Sequence, residues 1–200
     1  MRFVRPIRWS VALCGNEIVP FEIAGVRSGR MSRGHRVLAK GDAEITSPAE
    51  YKEKLAEVAV MADQDERREV IRSGLEKLAA QMGGTVRHDE DLLEEITYLV
   101  EYPTPLCGRI DEEFLKLPEP AIITPMKDHQ RYYPLRGKDG KLLPLFLTVR
   151  NGGKKALEKV QIGNERVLRA RLDDAKCCLE EDRKKTLEER REDLKRINYQ

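Results

Sequence analysis

Two hundred residues give room for one sizeable core or two modest ones, and 37 Lys/Arg against 35 Asp/Glu leave the chain nearly neutral at +2. The distribution is uneven: residues 1–40 hold eight basic against two acidic residues, 41–120 nine against twenty, 121–150 six against two, and 151–200 fourteen against eleven. This basic–acidic–basic pattern argues against generic membrane adhesion and leaves room for separate, localised phosphate-binding surfaces.

In chain order, the short apolar runs 9–13 and 18–23 flank Gly15-Asn16-Glu17 and predict a hairpin. An arginine-rich segment, 27–36, follows and is expected to leave the sheet as a loop. Ser47-Pro48-Ala49-Glu50 carries an N-cap, a proline at the first helical position and the glutamate of a capping box, so a helix should start there. Asp63-Gln64-Asp65-Glu66 repeats the signal ahead of an apolar stripe of Val70, Ile71, Leu75, Leu78 and Met82, which Gly83-Gly84 ends. A third helix over 89–100 buries Leu92, Leu93, Ile96 and Val100. From 103 to 150 the pattern reads as strands and turns: Ala121-Ile122-Ile123 is apolar, 131–135 extended, Gly137–Gly140 a hairpin tip, and 142–149 the returning strand. Beyond Asn151-Gly152-Gly153 a charged helix places Leu168, Leu172, Ala175 and Leu179 at helical spacing. Thr186-Leu187-Glu188-Glu189 caps one more, with Leu187, Leu194 and Ile197 as its apolar residues. The predicted class is α+β, a mixed and mainly antiparallel sheet with covering helices. The sheet is expected to draw strands from the N-terminal segment and 103–150. The expected division is 1–152 for this module and 153–200 for a charged helical segment opening the next region of a longer chain.

Three constellations could carry chemistry. Arg27, Arg30, Arg33 and Arg36, with His35 among them and no carboxylate in the segment, would repel one another unless an anion joined them. Guanidinium matches phosphate geometry, which makes nucleic acid the natural ligand; the alternative is a solvated basic turn. His35 lacks an obvious acid partner and reads as a structural or phosphate-donor residue. In 126–134, Lys127, His129, Arg131 and Tyr132 mix cations with rings, as proteins do when they hold backbone phosphate and stack unpaired bases. The alternative is a strand whose tyrosines, Tyr133 above all, fill the core. Asn151-Gly152-Gly153-Lys154-Lys155 has neither the glycine spacing nor the Ser/Thr of a P-loop and is rejected as one. Arg166 and Arg169 share a helical face, either as further phosphate contacts or as a salt-bridged surface in which Arg169 pairs with Asp173. No nucleophile–base–orienter set is legible, so no catalytic residue is assigned. Cys14, Cys107, Cys177 and Cys178 lack metal-ligand spacing and read as free thiols in a reducing cytosol. No apolar run suits a membrane span, and Met1 to Pro6 has no signal-peptide core.

Taken in order, Arg5-Pro6-Ile7-Arg8-Trp9, Val19-Pro20-Phe21-Glu22-Ile23-Ala24-Gly25-Val26, Ser32-Arg33-Gly34-His35-Arg36, 126–134 and 163–174 resemble successive signatures of one family, the β-subunit of bacterial two-subunit glycyl-tRNA synthetase. The resemblance covers essentially the whole chain. It departs at Val37, where an aromatic is usual, at Arg150 in place of serine, and at Cys177-Cys178 in place of an aromatic pair. It implies a fragment that contacts glycine tRNA within an α/β hetero-oligomer. In that assembly the α-subunit uses ATP and Mg2+, and this fragment holds no cofactor of its own. It also implies a fold similar in kind to the editing-type module of the phenylalanyl-tRNA synthetase β chain. Two rival readings stay open, an aminoacyl-tRNA editing hydrolase using His35 or His129 and a purely architectural subunit-contact domain. The chain's abrupt end at Gln200 suggests a piece of a longer polypeptide.

Overall fold

The computed structural model describes residues 6–87 and 89–194, which form two compact units interleaved along the chain. One takes residues up to 77, 89–106 and 149–155; the other takes 78–87, 107–148 and 156–194. The class is α+β as expected, but among the described residues the strands fall into four small sheets rather than one.

In the first unit, β1 (Ser10–Val11) lies parallel to β5 (Val26–Gly29), which also pairs antiparallel with β4 (Glu22–Ile23). The β4–β5 turn is Ala24-Gly25, both at positive φ (52° and 77°), the backbone a tight two-residue hairpin demands. The predicted hairpin around Gly15 is present as β2 (Leu13–Cys14) against β3 (Glu17–Ile18). Its second arm stops early because Pro20 has no N–H to continue a ladder. The arginine-rich segment is not a loop. Most of it is strand: β5, then β6 (Met31–Arg33) paired with β7 (Asp42–Glu44). On β6 the small Ser32 is buried between the exposed Met31 and Arg33, the period-2 alternation of a half-buried strand. Ser28 on β5 accepts from Phe21 N–H at 2.9 Å and donates to the Val19 carbonyl at 2.6 Å. The positive charge masked this strand pattern.

The helix signals held. After a 3-10 turn at Pro48–Glu50, α1 (Tyr51–Glu57) begins where the Ser47–Glu50 motif placed it, with the Glu50 carboxylate accepting from Thr46 Oγ1 at 2.6 Å and Ser47 N–H at 3.3 Å. Those donors hold the Glu50 carboxyl below its ordinary range, the Thr46 hydroxyl first. Asp63 caps α2 (Gln64–Gln81), accepting from the N–H groups of Asp65 and Glu66 at 2.9 and 3.2 Å. The buried stripe of α2 runs through Arg67, Ile71, Leu75 and Ala79, so Val70 and Met82 face solvent instead of the core. Arg67 is accommodated because its Nε donates to the Thr97 carbonyl at 2.7 Å and its Nη1 to the Met61 carbonyl at 2.5 Å. Asp89 caps α3 (Glu90–Leu99), which buries Leu92, Leu93 and Ile96. Val11, Leu13, Val58, Val60 and Ala62 pack on a small core of Ala43, Ile45 and Leu55.

A four-stranded sheet in the order β8 (Thr85–Val86), β10 (Tyr133–Arg136), β11 (Leu142–Asn151), β9 (Pro103–Arg109) follows. The break between the units falls within both long strands, at Leu106/Cys107 and Thr148/Val149. The segment around Ala121-Ile122-Ile123 is not a strand: α4 (Glu119–Thr124) runs on into a π-helical turn, Pro125–His129. Pro118 and Pro120 frame its start, and Ile122 and Met126, four apart, bury one face. In the second unit Ile122 and Met126 join Ile110, Phe114, Tyr132 and Phe146, with Leu168 and Leu172 of α5 (Leu157–Asp182), in one core. Thr186 and Glu189 form a reciprocal cap on α6 (Leu187–Leu194), at 2.7 and 3.3 Å. Leu187 is exposed, while the predicted apolar roles of the Leu194 side chain and of Ile197 lie outside the described residues. No described helix is long and apolar enough to cross a membrane.

Candidate nucleic-acid interface

The first unit carries an open cleft of about 1210 Å³ whose walls include Arg8, Trp9, Arg33, Arg36 and Lys40. The parallel pairing of β1 with β5 (Ser10 opposite Ser28, Val11 opposite Gly29) brings the chain's start beside the strand that leads into β6. The Arg33 guanidinium consequently lies 5.5 Å from the centre of the Trp9 ring, over its face. Beyond β6, the turn through 34–41 returns to β7, so Arg36 and Lys40 stand on the same rim. Four cations face two carboxylates, Asp42 and Glu101. Arg8, Arg36 and Lys40 make no ion pair among the described residues. Their mutual repulsion is relieved when an anion enters.

The rim is held from below by His35, which is 2% exposed. Its Nδ1 accepts from the backbone N–H groups of Val37 and Leu38, each at 3.2 Å, and so carries the lone pair. Nε2 then bears the proton and donates to Asn151 Oδ1 at 3.1 Å. The same Asn151 oxygen accepts from the N–H groups of Glu101 and Tyr102, at 3.0 Å each. Gly152 N–H donates to the Tyr102 carbonyl at 2.8 Å, and Thr104 Oγ1 to the Gly152 carbonyl at 2.6 Å. Gly34 completes the close packing: a Cβ there would lie 2.4 Å from the Ala39 Cβ and 2.7 Å from the Val58 Cβ. His35 is therefore a brace for the turn and, with both nitrogens used inside the chain, offers none to a ligand. That corrects its assignment as a tRNA contact.

The four-arginine clamp is split by the same geometry. Arg33 and Arg36 enter the cleft; Arg27 and Arg30 do not. Arg27 pairs with Glu22 across the β4–β5 ladder at 3.3 Å, and Arg30 donates to the Asn16 carbonyl at 3.3 Å. The cleft also takes in Arg8, Trp9 and Lys40, which the sequence reading did not single out as candidates. The Arg5-Pro6-Ile7-Arg8-Trp9 motif had flagged two of them, but nothing local couples positions 9 and 33. Arg5 itself lies outside the described residues.

The remaining candidates belong to the second unit. Tyr132 is buried and stacked on Phe146, with ring centroids 4.6 Å apart and planes 15° from parallel. It cannot present a face to a base, and burial pushes its hydroxyl pKa up. Tyr133 is likewise buried. Arg131, at φ +58°, donates to the carbonyls of Asp128 and His129 at 3.2 Å each and so closes the helical turn. His129 is exposed and Lys127 half-buried. Arg169 pairs with Asp111 at 2.9 Å rather than with Asp173, while Arg166 is exposed on α5. The salt-bridged reading holds for Arg169, through a partner distant in sequence.

A concave α+β surface that sets guanidinium and ammonium groups beside an indole is the kind that nucleic-acid-binding proteins use. Comparison with known proteins narrows this class: residues 1–200 match the glycyl-tRNA synthetase beta subunit family, and the chain belongs to it. The glycine–tRNA ligase beta subunit of Desulfitobacterium hafniense (strain Y51) is 51% identical over 198 residues, 99% of this chain and 29% of that protein. The protein of the same name from Bacillus subtilis (strain 168) is 47% identical over 199 residues, 100% of this chain and 29% of its own length. The chain thus spans 29% of the length of these relatives.

Proposed function

We propose that this chain contributes a tRNA-binding surface and framework to a glycine–tRNA ligase that works as an α/β hetero-oligomer. In this reading the α-subunit binds ATP and Mg2+ and activates glycine, and the residues here take no step in that chemistry. The fold's kinship with the editing-type module of the phenylalanyl-tRNA synthetase β chain belongs to the same proposal. The observation that carries it is the convergence of Arg8, Arg33, Arg36 and Lys40 around Trp9. The internal hydrogen bonds of His35 lend no support to an editing hydrolase using that residue as base.

The test is binding of this chain to glycine tRNA across a salt series. Each phosphate contact adds about 0.7–0.9 to the slope of log affinity against log salt. Replacing Arg8, Arg33, Arg36 and Lys40 by alanine should weaken binding and reduce that slope by roughly 3. Replacing Arg27 and Arg30 should change it little. Unchanged binding in the first variant, or its loss in the second alone, would refute the cleft assignment.

One observation favours a subunit-contact role alongside this. Ile18, Val19, Phe21 and Ile23 stand within six residues, each between 37% and 44% exposed. Apolar exposure clustered in this way is what a protein-docking edge presents. Co-purification with the α-subunit should then fail for Phe21→Asp and persist for the cleft variant.

A further inference from the structure

We infer that the cleft receives an unpaired stretch of RNA, a few nucleotides long, one of whose bases stacks against the Trp9–Arg33 layer. The inference rests on the tRNA-binding reading above and specifies its ligand. Trp9 is 43% exposed although a guanidinium lies over its ring, so aromatic surface remains open to the solvent beside the cation cluster. A duplex has no use for that surface, because its bases are already stacked on one another and its edges are read across grooves. Proteins that recognise duplex RNA spread their contacts over about 16 base pairs and two successive grooves. Here the indole and the four cations are gathered into one concavity. Its volume, about 1210 Å³, exceeds that of a drug-sized site, roughly 300–1,000 Å³, and so suits more than one nucleotide without reaching the span of a helix. Phosphates on either side of the stacked base would face Arg8, Arg36 and Lys40, which make no ion pair among the described residues. Pairing of Arg33 with Trp9 holds both planes in place before the base arrives, so little side-chain freedom is lost on binding. The layered order of guanidinium, indole and base is the sequence-tolerant arrangement of single-strand binding.

Trp9 is the chain's one tryptophan, which makes its emission a reporter of this cleft alone. The chain would be titrated with a single-stranded RNA octanucleotide and with a blunt RNA duplex of equal phosphate number. The octanucleotide should bind more tightly and quench Trp9 saturably, while the duplex should leave the emission nearly unchanged. Trp9→Leu should weaken octanucleotide binding by roughly 5- to 150-fold, the worth of one base–aromatic stack, without altering the salt slope. Trp9→Phe should keep most of the affinity, which separates stacking from a folding defect. Equal binding of the two RNAs with no change in Trp9 emission would overturn the inference. If glycine tRNA still bound through the four cations, only the choice of ligand would fall. Loss of tRNA binding altogether would instead remove the functional reading on which it stands.

Discussion

Asn151→Ala should be among the most damaging single changes near the cleft, although the asparagine itself lies on the surface. Its Oδ1 gathers three donors, from Glu101 N–H and Tyr102 N–H at 3.0 Å and from His35 Nε2 at 3.1 Å. The two backbone donors belong to exposed residues, so water can replace the lost oxygen; each costs about 0.5–1 kcal/mol. His35 is 2% exposed, and its orphaned N–H costs about 1–3 kcal/mol more. The sum is roughly 2–5 kcal/mol, enough to matter in a fold whose whole stability is about 5–15 kcal/mol. Asn151→Asp keeps an acceptor oxygen for all three donors and should lose much less. Urea denaturation of the three proteins measures this directly, with the tRNA salt series run in parallel at a temperature where all are folded. The alanine protein should show a lower midpoint and weaker tRNA binding, because Arg33 and Arg36 flank the braced ring. A loss below about 0.5 kcal/mol, or an aspartate variant as weak as the alanine one, would refute the shared-acceptor account.

Gly34→Ala removes no charge, yet its Cβ would meet Ala39, Val58 and the Gly41 carbonyl at 2.4–2.9 Å; tRNA affinity should fall about tenfold as the rim shifts, measured by filter binding, and unchanged affinity would detach the turn from the site. Gly108→Ala sets a Cβ 2.3 Å from Phe146 Cζ in the stacked core, and should cost about 1–3 kcal/mol in denaturation with an altered near-ultraviolet signal from Tyr132. Burial pushes the Cys107 thiol pKa up, the Arg109 charge opposing only in part, so less of it is thiolate at pH 8 than in an ordinary cysteine. Alkylation at pH 8 should therefore label the exposed Cys14, Cys177 and Cys178 first and Cys107 last, with the Cys107 rate still climbing as pH rises past 9; four equal rates would contradict the burial.

What could be read locally was read well. Caps at Ser47–Glu50, Asp63 and Thr186 act over three or four residues, and the Gly15 and Gly137–Gly140 turns need only their own backbone. The arginine strand was missed because its signal, small serines alternating with outward side chains, sat under a charge density that reads as loop. The helix through Ile122 and Met126 was missed because three apolar residues in a row fit either period, and only burial chose. Tyr132 and its ring stack show the same limit at the candidate site, since an aromatic beside cations looks alike whether it faces a base or Phe146.

By itself the sequence determined the α+β class, most of the helix starts and the family, the last because long motifs recur in order over residues 1–200. Which cations line one cleft was decided by tertiary structure alone. Arg27, Arg30, Arg33 and Arg36 are neighbours in sequence, but a strand sends successive side chains to opposite faces, and Glu22 and the Asn16 carbonyl engage the first two. Arg33 and Arg36 meet Arg8 and Trp9 instead, because a parallel pairing of β1 and β5 across some eighteen residues of chain brought them to one wall, and the turn back to β7 adds Lys40. Contacts of that kind depend on which backbones hydrogen-bond to which, and no window of neighbouring residues contains that information.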